Sequence, residues 1–132
     1  MIHFIRSRFK LVCIICFALT SSAGILGLLA PGIVDTLAGG TIDITEQSRF
    51  FAQTTFLLIT IVGFWFLIIM MDPDGQKPLL GLATVEKLIF VGFMIYAMGP
   101  LKLSWMFLPV VLGDLLMGLV CLTYLVLGSA ED

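Results

Sequence analysis

The sequence predicts an all-α integral membrane protein: one domain over residues 1–132, built as a four-helix bundle with both termini cytoplasmic. Three observations predict it. Of the 132 residues, 60% are hydrophobic and only 12% are charged, with a mean hydropathy of +1.15. That is too little polar surface to coat a soluble domain. The charges are also segregated: residues 11–34 and 50–71 carry none. Two further apolar runs, 78–100 and 103–128, are interrupted only by Glu86 and Lys87 and by Asp114. Each run exceeds the roughly 20 residues that span a hydrocarbon core of about 30 Å. Finally, the runs are solid and not alternating, which argues against a barrel.

The first span is expected over residues 9–30, stopped by Pro31 and Gly32. Its basic start, apolar middle and Ser21-x-Ala23 also have the form of a secretory signal. Ile15 before Cys16 does not suit a lipoprotein signal, and the expectation is an anchor that stays. An outer loop over 31–48 follows, with turn signals at Gly39 and Gly40. Asp43-x-x-Glu46 reads as a capping box, so the second span is placed at 44–71, ending at "MDPDGQKP". The third is expected over 79–98, closed by Gly99 and Pro100. The fourth is expected over 103–127, with a kink at Pro109.

Orientation follows from lysine and arginine placement. Arg6, Arg8, Lys10 and Lys77 fall on one side, against Arg49 and Lys102 on the other. The first side is therefore expected to be cytoplasmic, in a bacterial inner membrane.

Helical spacing sorts small and weakly polar residues into stripes. Cys13, Cys16, Thr20, Gly24 and Gly27 share a face of the first span, and Arg49, Gln53, Thr60 and Gly63 one of the second. Asp114, Gly118 and Cys121 share a face of the fourth. Such stripes are expected inside the bundle, because lipid gives no hydrophobic drive for helix association. Phe64, Phe66, Phe90, Phe93, Trp105 and Phe107 are then left for lipid or a partner.

The intramembrane charges carry the sharpest expectation. Asp114 lies ten residues past Ser104 and Lys87 nine past Pro78. At 1.5 Å per residue these are depths of roughly 15 and 13 Å. Matching depth on neighbouring antiparallel helices predicts a Lys87–Asp114 ion pair, since an unpaired charge there costs about 2.5–3.5 kcal/mol. Glu86 points about 100° away from Lys87 around the helix, and with Gln53 and Arg49 it makes a candidate polar path. A pair alone reads as a structural brace; a continued path would read as a route for protons or substrate.

Other chemistry finds little purchase. His3 is the one histidine, so neither a bis-histidine haem site nor a histidine metal cluster is expected. Cys13-Ile-Ile-Cys16 is a C-x-x-C, a motif that vitamin K epoxide reductase-like enzymes use in a four-helix bundle. Here there is no second cysteine pair in an outer loop to relay electrons to it, and the thiols are expected as small packing groups. With no phosphate-binding loop, no nucleophile with its base and no basic patch, the expectation is a non-catalytic chain without cofactor, metal or nucleic acid.

Residues 48–127, with "RFFAQ", "MDPD", "VEKL" and "LGDLLMG" at matching places, resemble a type of small bacterial four-helix membrane protein. The plan is loosely similar to DoxX-like proteins, some of which are tied to quinol oxidase systems. That resemblance implies a fold plan and a brace-like Lys/Asp pair, but no activity. Small multidrug exporters, by contrast, depend on a glutamate in their first helix, where residues 11–34 here carry no charge. The function expected is an accessory subunit that packs large apolar faces against a larger membrane complex, respiratory or photosynthetic. The competing expectation is a small proton-coupled transporter, or a lipid- or quinone-binding protein, using Glu86, Lys87 and Asp114.

Overall fold

The computed structural model describes residues 2–37, 39–40 and 45–128. Among them it has five α-helices and one 3-10 turn, and no strand. They are α1 (Ile2–Leu29), α2 (Pro31–Leu37), α3 (Glu46–Met71), α4 (Lys77–Met98), the turn Trp105–Phe107 and α5 (Leu108–Gly128). Four stretches, Arg8–Leu29, Ser48–Met71, Lys77–Met98 and Trp105–Leu127, are long and apolar enough to cross a membrane.

The helix ends refine the sequence expectations. Pro31 does stop α1, but it also opens the short α2, because a first-turn residue needs no backbone N–H. α2 ends at Leu37; Gly39 and Gly40 beyond it have φ angles of 70° and 69° that suit glycine, and Gly40 N donates to Asp35 O at 2.9 Å. α3 begins at Glu46, with Thr45 as its cap: Thr45 Oγ1 accepts from Ser48 N at 3.3 Å. The Asp43 of the expected capping box lies outside the described residues. Between α3 and α4, Asp72 Oδ1 accepts from Gly75 N at 3.0 Å, an Asx turn that lets α4 start at Lys77. Pro109 makes no kink. It falls in the first turn of α5, where the missing donor would have been unpaired anyway.

Two antiparallel hairpins result. α1 packs along α3, and α4 along α5, while the hairpins touch each other less, through α1–α5 and α3–α4. The α1–α3 seam is close because it is built on glycine. A Cβ on Gly24 would lie 2.7 Å from Thr60 N and 2.9 Å from Phe56 O, one on Gly27 would fall on the Phe56 ring, and one on Gly63 on Ser21. The stripe Cys13, Cys16, Thr20, Gly24 and Gly27 is buried throughout.

The hairpins meet firmly at the end that holds the α3–α4 turn. There Phe9, Cys13 and Cys16 of α1, Phe66 and Ile69 of α3, Leu80 and Ala83 of α4, and Cys121 and Tyr124 of α5 form one core. Phe9 stacks on Tyr124 with ring centroids 3.9 Å apart, and Tyr124 Oη donates to Asp74 Oδ1 at 3.2 Å. Phe66, expected outward, is fully buried here. Phe64 is half exposed instead; two residues along a helix is a rotation of about 200°, so the two rings cannot share a direction. At the opposite end the second cluster, Val91, Met94, Met98 and Val111, belongs to α4 and α5 alone. There the hairpins part.

Candidate functional site

Lys87 and Asp114 sit near the middle of their spans on α4 and α5, both buried, with Lys87 Nζ 2.9 Å from Asp114 Oδ1. Gly118, one turn beyond Asp114, makes room for this approach. A Cβ there would lie 3.1 Å from Leu88 Cδ2 and 3.5 Å from Lys87 Cβ. The missing side chain on α5 is thus filled by the Lys87 stem and Leu88.

Glu86 joins the pair although it neighbours Lys87 in sequence. Its flexible side chain brings Oε2 to 3.8 Å from Lys87 Nζ, an ion-pair contact beyond hydrogen-bonding distance. That oxygen is buried and has no hydrogen-bond partner. The expectation that Glu86 would point elsewhere considered the helix angle and not the reach of two long side chains.

The structure does not extend this cluster to Gln53 and Arg49. Gln53 Nε2 donates to Leu28 O at 3.5 Å, tying α3 to α1 near its end. Arg49 is exposed on the first turn of α3. Phe56 and Ile59 lie further along α3, and it is these apolar side chains that reach the charged cluster's surroundings.

Where the hairpins part they enclose a cavity of about 460 Å³, with Glu86, Lys87 and Asp114 in its wall. Leu19, Thr20 and Ala23 of α1 line one side, Phe90 of α4 and Phe107 of the 3-10 turn another, and Val34 of α2 also lines it. The volume is in the range of small-molecule sites, about 300–1,000 Å³. The wall is apolar apart from Thr20 and the three charged residues.

Thr20 was not singled out as a site residue from sequence, where it read as one more small residue on a packing stripe. Its hydroxyl is unusual. Thr36, Thr54, Thr55, Thr60, Thr84 and Thr123 each donate to the carbonyl four residues earlier. Thr20 is 4% exposed, yet its Oγ1 has no partner. A buried hydroxyl left unbonded costs free energy on the order of 1–3 kcal/mol, and here it lines the same cavity as Glu86.

No family model, curated protein or solved structure matches this chain. Its chemistry is therefore read from its own side chains. Cys13 and Cys16 are free thiols buried in the core with Cys121 from α5. They lie on the packed side of the ion pair, away from the cavity lining. Among the described residues no group of three metal-ligating side chains is assembled.

Proposed function

We propose that this chain is a non-catalytic membrane protein that holds a small amphiphilic molecule, drawn from the bilayer, in the cavity between its two hairpins. The observation that carries this reading is an apolar cavity of about 460 Å³ whose few polar groups include two buried atoms without partners, Thr20 Oγ1 and Glu86 Oε2. Unpartnered polar groups in the wall of one cavity are what a bound polar head would satisfy. A bacterial inner membrane with cytoplasmic termini is the setting, supported by Arg8, Lys10 and Lys77 at the packed end against Arg49 and Lys102 at the other.

Gly113 gives the test. It lines the cavity, and a Cβ built on it meets nothing within 4 Å. Gly113→Leu is therefore expected to take up part of the cavity at little steric cost to the backbone around it. Native mass spectrometry of the protein purified in mild detergent is expected to show a small-molecule adduct that Gly113→Leu loses. The same lipid adducts on both proteins, or none on either, overturn the reading.

A second reading, the accessory subunit, has its own observation. A shallow, mostly apolar groove on the outside of α3 and α4 is lined by Trp65, Leu82, Val85, Ile89 and Phe93, together with Glu86 and Phe90, which also line the cavity. A neighbouring membrane helix of a larger complex would seat there. Recovery from mild detergent as a lone monomer or homodimer overturns this second reading.

A further inference from the structure

The cavity's chemistry narrows what it holds, given the binding reading above. Its lining has two carboxylates, Glu86 and Asp114, against one ammonium, Lys87, and no other charged side chain. Lys87 is committed to Asp114 at 2.9 Å, whereas Glu86 stands 3.8 Å off with its Oε2 unbonded. One lysine thus faces two carboxylates, and with both ionised the wall would carry one negative charge in excess, which a bound cation would offset in this apolar setting. Thr20 Oγ1, 4% exposed and unbonded, supplies a second acceptor in the same wall. Phe56, Phe90 and Phe107 line the space beyond. Aromatic rings accept a hydrocarbon body and attract a cation to their faces.

We propose that the ligand is a lipophilic primary or secondary amine, bound as its ammonium ion, with its N–H groups donating to Glu86 and Thr20. The alternatives fit less of the wall. An alcohol or phenol head donates to Glu86 but leaves the excess charge. A carboxylate or phosphate head adds to it. A quaternary ammonium balances the charge but has no N–H for either acceptor. The way in is lateral: Leu19 of α1 and Val110 of α5 line the cavity and are 56% and 48% exposed, so it opens between these two helices. An amine dissolved in the bilayer reaches such a mouth directly.

The test uses the full chain in a neutral detergent, with naphthylethylamine as probe and naphthylethanol as its uncharged counterpart, followed by naphthalene fluorescence. Saturable binding of the amine, at least about tenfold tighter than the alcohol, is expected from a charge-assisted hydrogen bond. Glu86→Gln is expected to erase that preference, bringing the amine's affinity down to the alcohol's or below it. Thr20→Val, nearly the same shape, is expected to weaken the amine several-fold and serves as a second variant should Glu86→Gln fail to fold. Equal affinity for the two probes, or a preference that survives Glu86→Gln, overturns the amine proposal. If Gly113→Leu still blocks the alcohol in that case, the cavity reading stands. Binding of neither probe overturns the amine proposal, and the adduct seen by mass spectrometry then decides the cavity reading separately.

Discussion

Lys87 Nζ on α4 lies 2.9 Å from Asp114 Oδ1 on α5, and the pair marks the boundary between the packed and the hollow half of the bundle. On one side are Cys16, Ala83 and Cys121, fully enclosed; on the other the cavity begins. The pair therefore holds α4 and α5 together at the level where the core between hairpins stops. A brace and a cavity wall are the same two side chains.

Removing one partner is expected to be worse than removing both. Lys87→Met leaves the buried Asp114 carboxylate, and the part-buried Glu86 beside it, without their cation, a loss on the order of 3–5 kcal/mol. Lys87→Met combined with Asp114→Leu replaces the pair by apolar groups and is expected to recover most of that stability. Unfolding in mixed detergent micelles, followed by helical circular dichroism, gives the comparison. A double variant as unstable as the single one would show that the pair contributes net stability.

The glycines divide by what surrounds them. Gly24→Ala puts a methyl 2.7 Å from Thr60 N and 2.9 Å from Phe56 O, both backbone atoms that move only with the whole helix. Its expected cost is about 1–3 kcal/mol from overpacking. Gly92→Ala meets nothing within 4 Å and sits mid-helix, so a gain of about 0.5–1 kcal/mol is expected from helix propensity. The two variants measured side by side by thermal unfolding should differ in sign.

These local contrasts show where sequence reasoning reaches and where it stops. Solid apolar runs around a few charges located four helices long and apolar enough to cross a membrane, and the matched depths of "VEKL" and "LGDLLMG" placed Lys87 opposite Asp114. Those features are properties of single helices and of one tight connection. The cavity is a property of how two hairpins diverge, and no periodicity in one helix encodes it. Thr20 could have been found only by knowing that its hydroxyl does not turn back to Cys16 as the other helical threonines turn back. Proline was ambiguous for a simpler reason. Pro109 kinks a helix only when a full turn of it precedes, and it instead stands in the first turn of α5, while Pro31 both ends α1 and opens α2.

The turn end is expected to depend on Tyr124, and more on its ring than on its hydroxyl. Tyr124 Oη donates to Asp74 Oδ1 at 3.2 Å and so ties α5 to the α3–α4 turn, while the ring stacks on Phe9. Tyr124→Phe keeps the stack and removes that donor, with an expected loss of about 0.5–1.5 kcal/mol. Tyr124→Ala removes the ring as well and is expected to cost about 3–5 kcal/mol. If both variants unfold alike, the hydroxyl and not the stack secures this end.

The three cysteines give a probe of the same packed half. Cys13 and Cys16 are 0% exposed and Cys121 is 1% exposed, all in the core with Phe66 and Leu80. A thiol reacts as the thiolate and only where reagent can reach it. In the folded protein, a small maleimide is therefore expected to leave all three unmodified over the time in which an unfolded sample is fully labelled. Labelling should accelerate in Tyr124→Ala, which opens the Phe9 side of this core, and stay slow in Gly113→Leu, which alters only the hollow half. Mass spectrometry of the labelled chain counts the modified thiols directly. Rapid labelling of the unaltered protein would mean that the hairpins separate at this end, and the packed half would then be the mobile one.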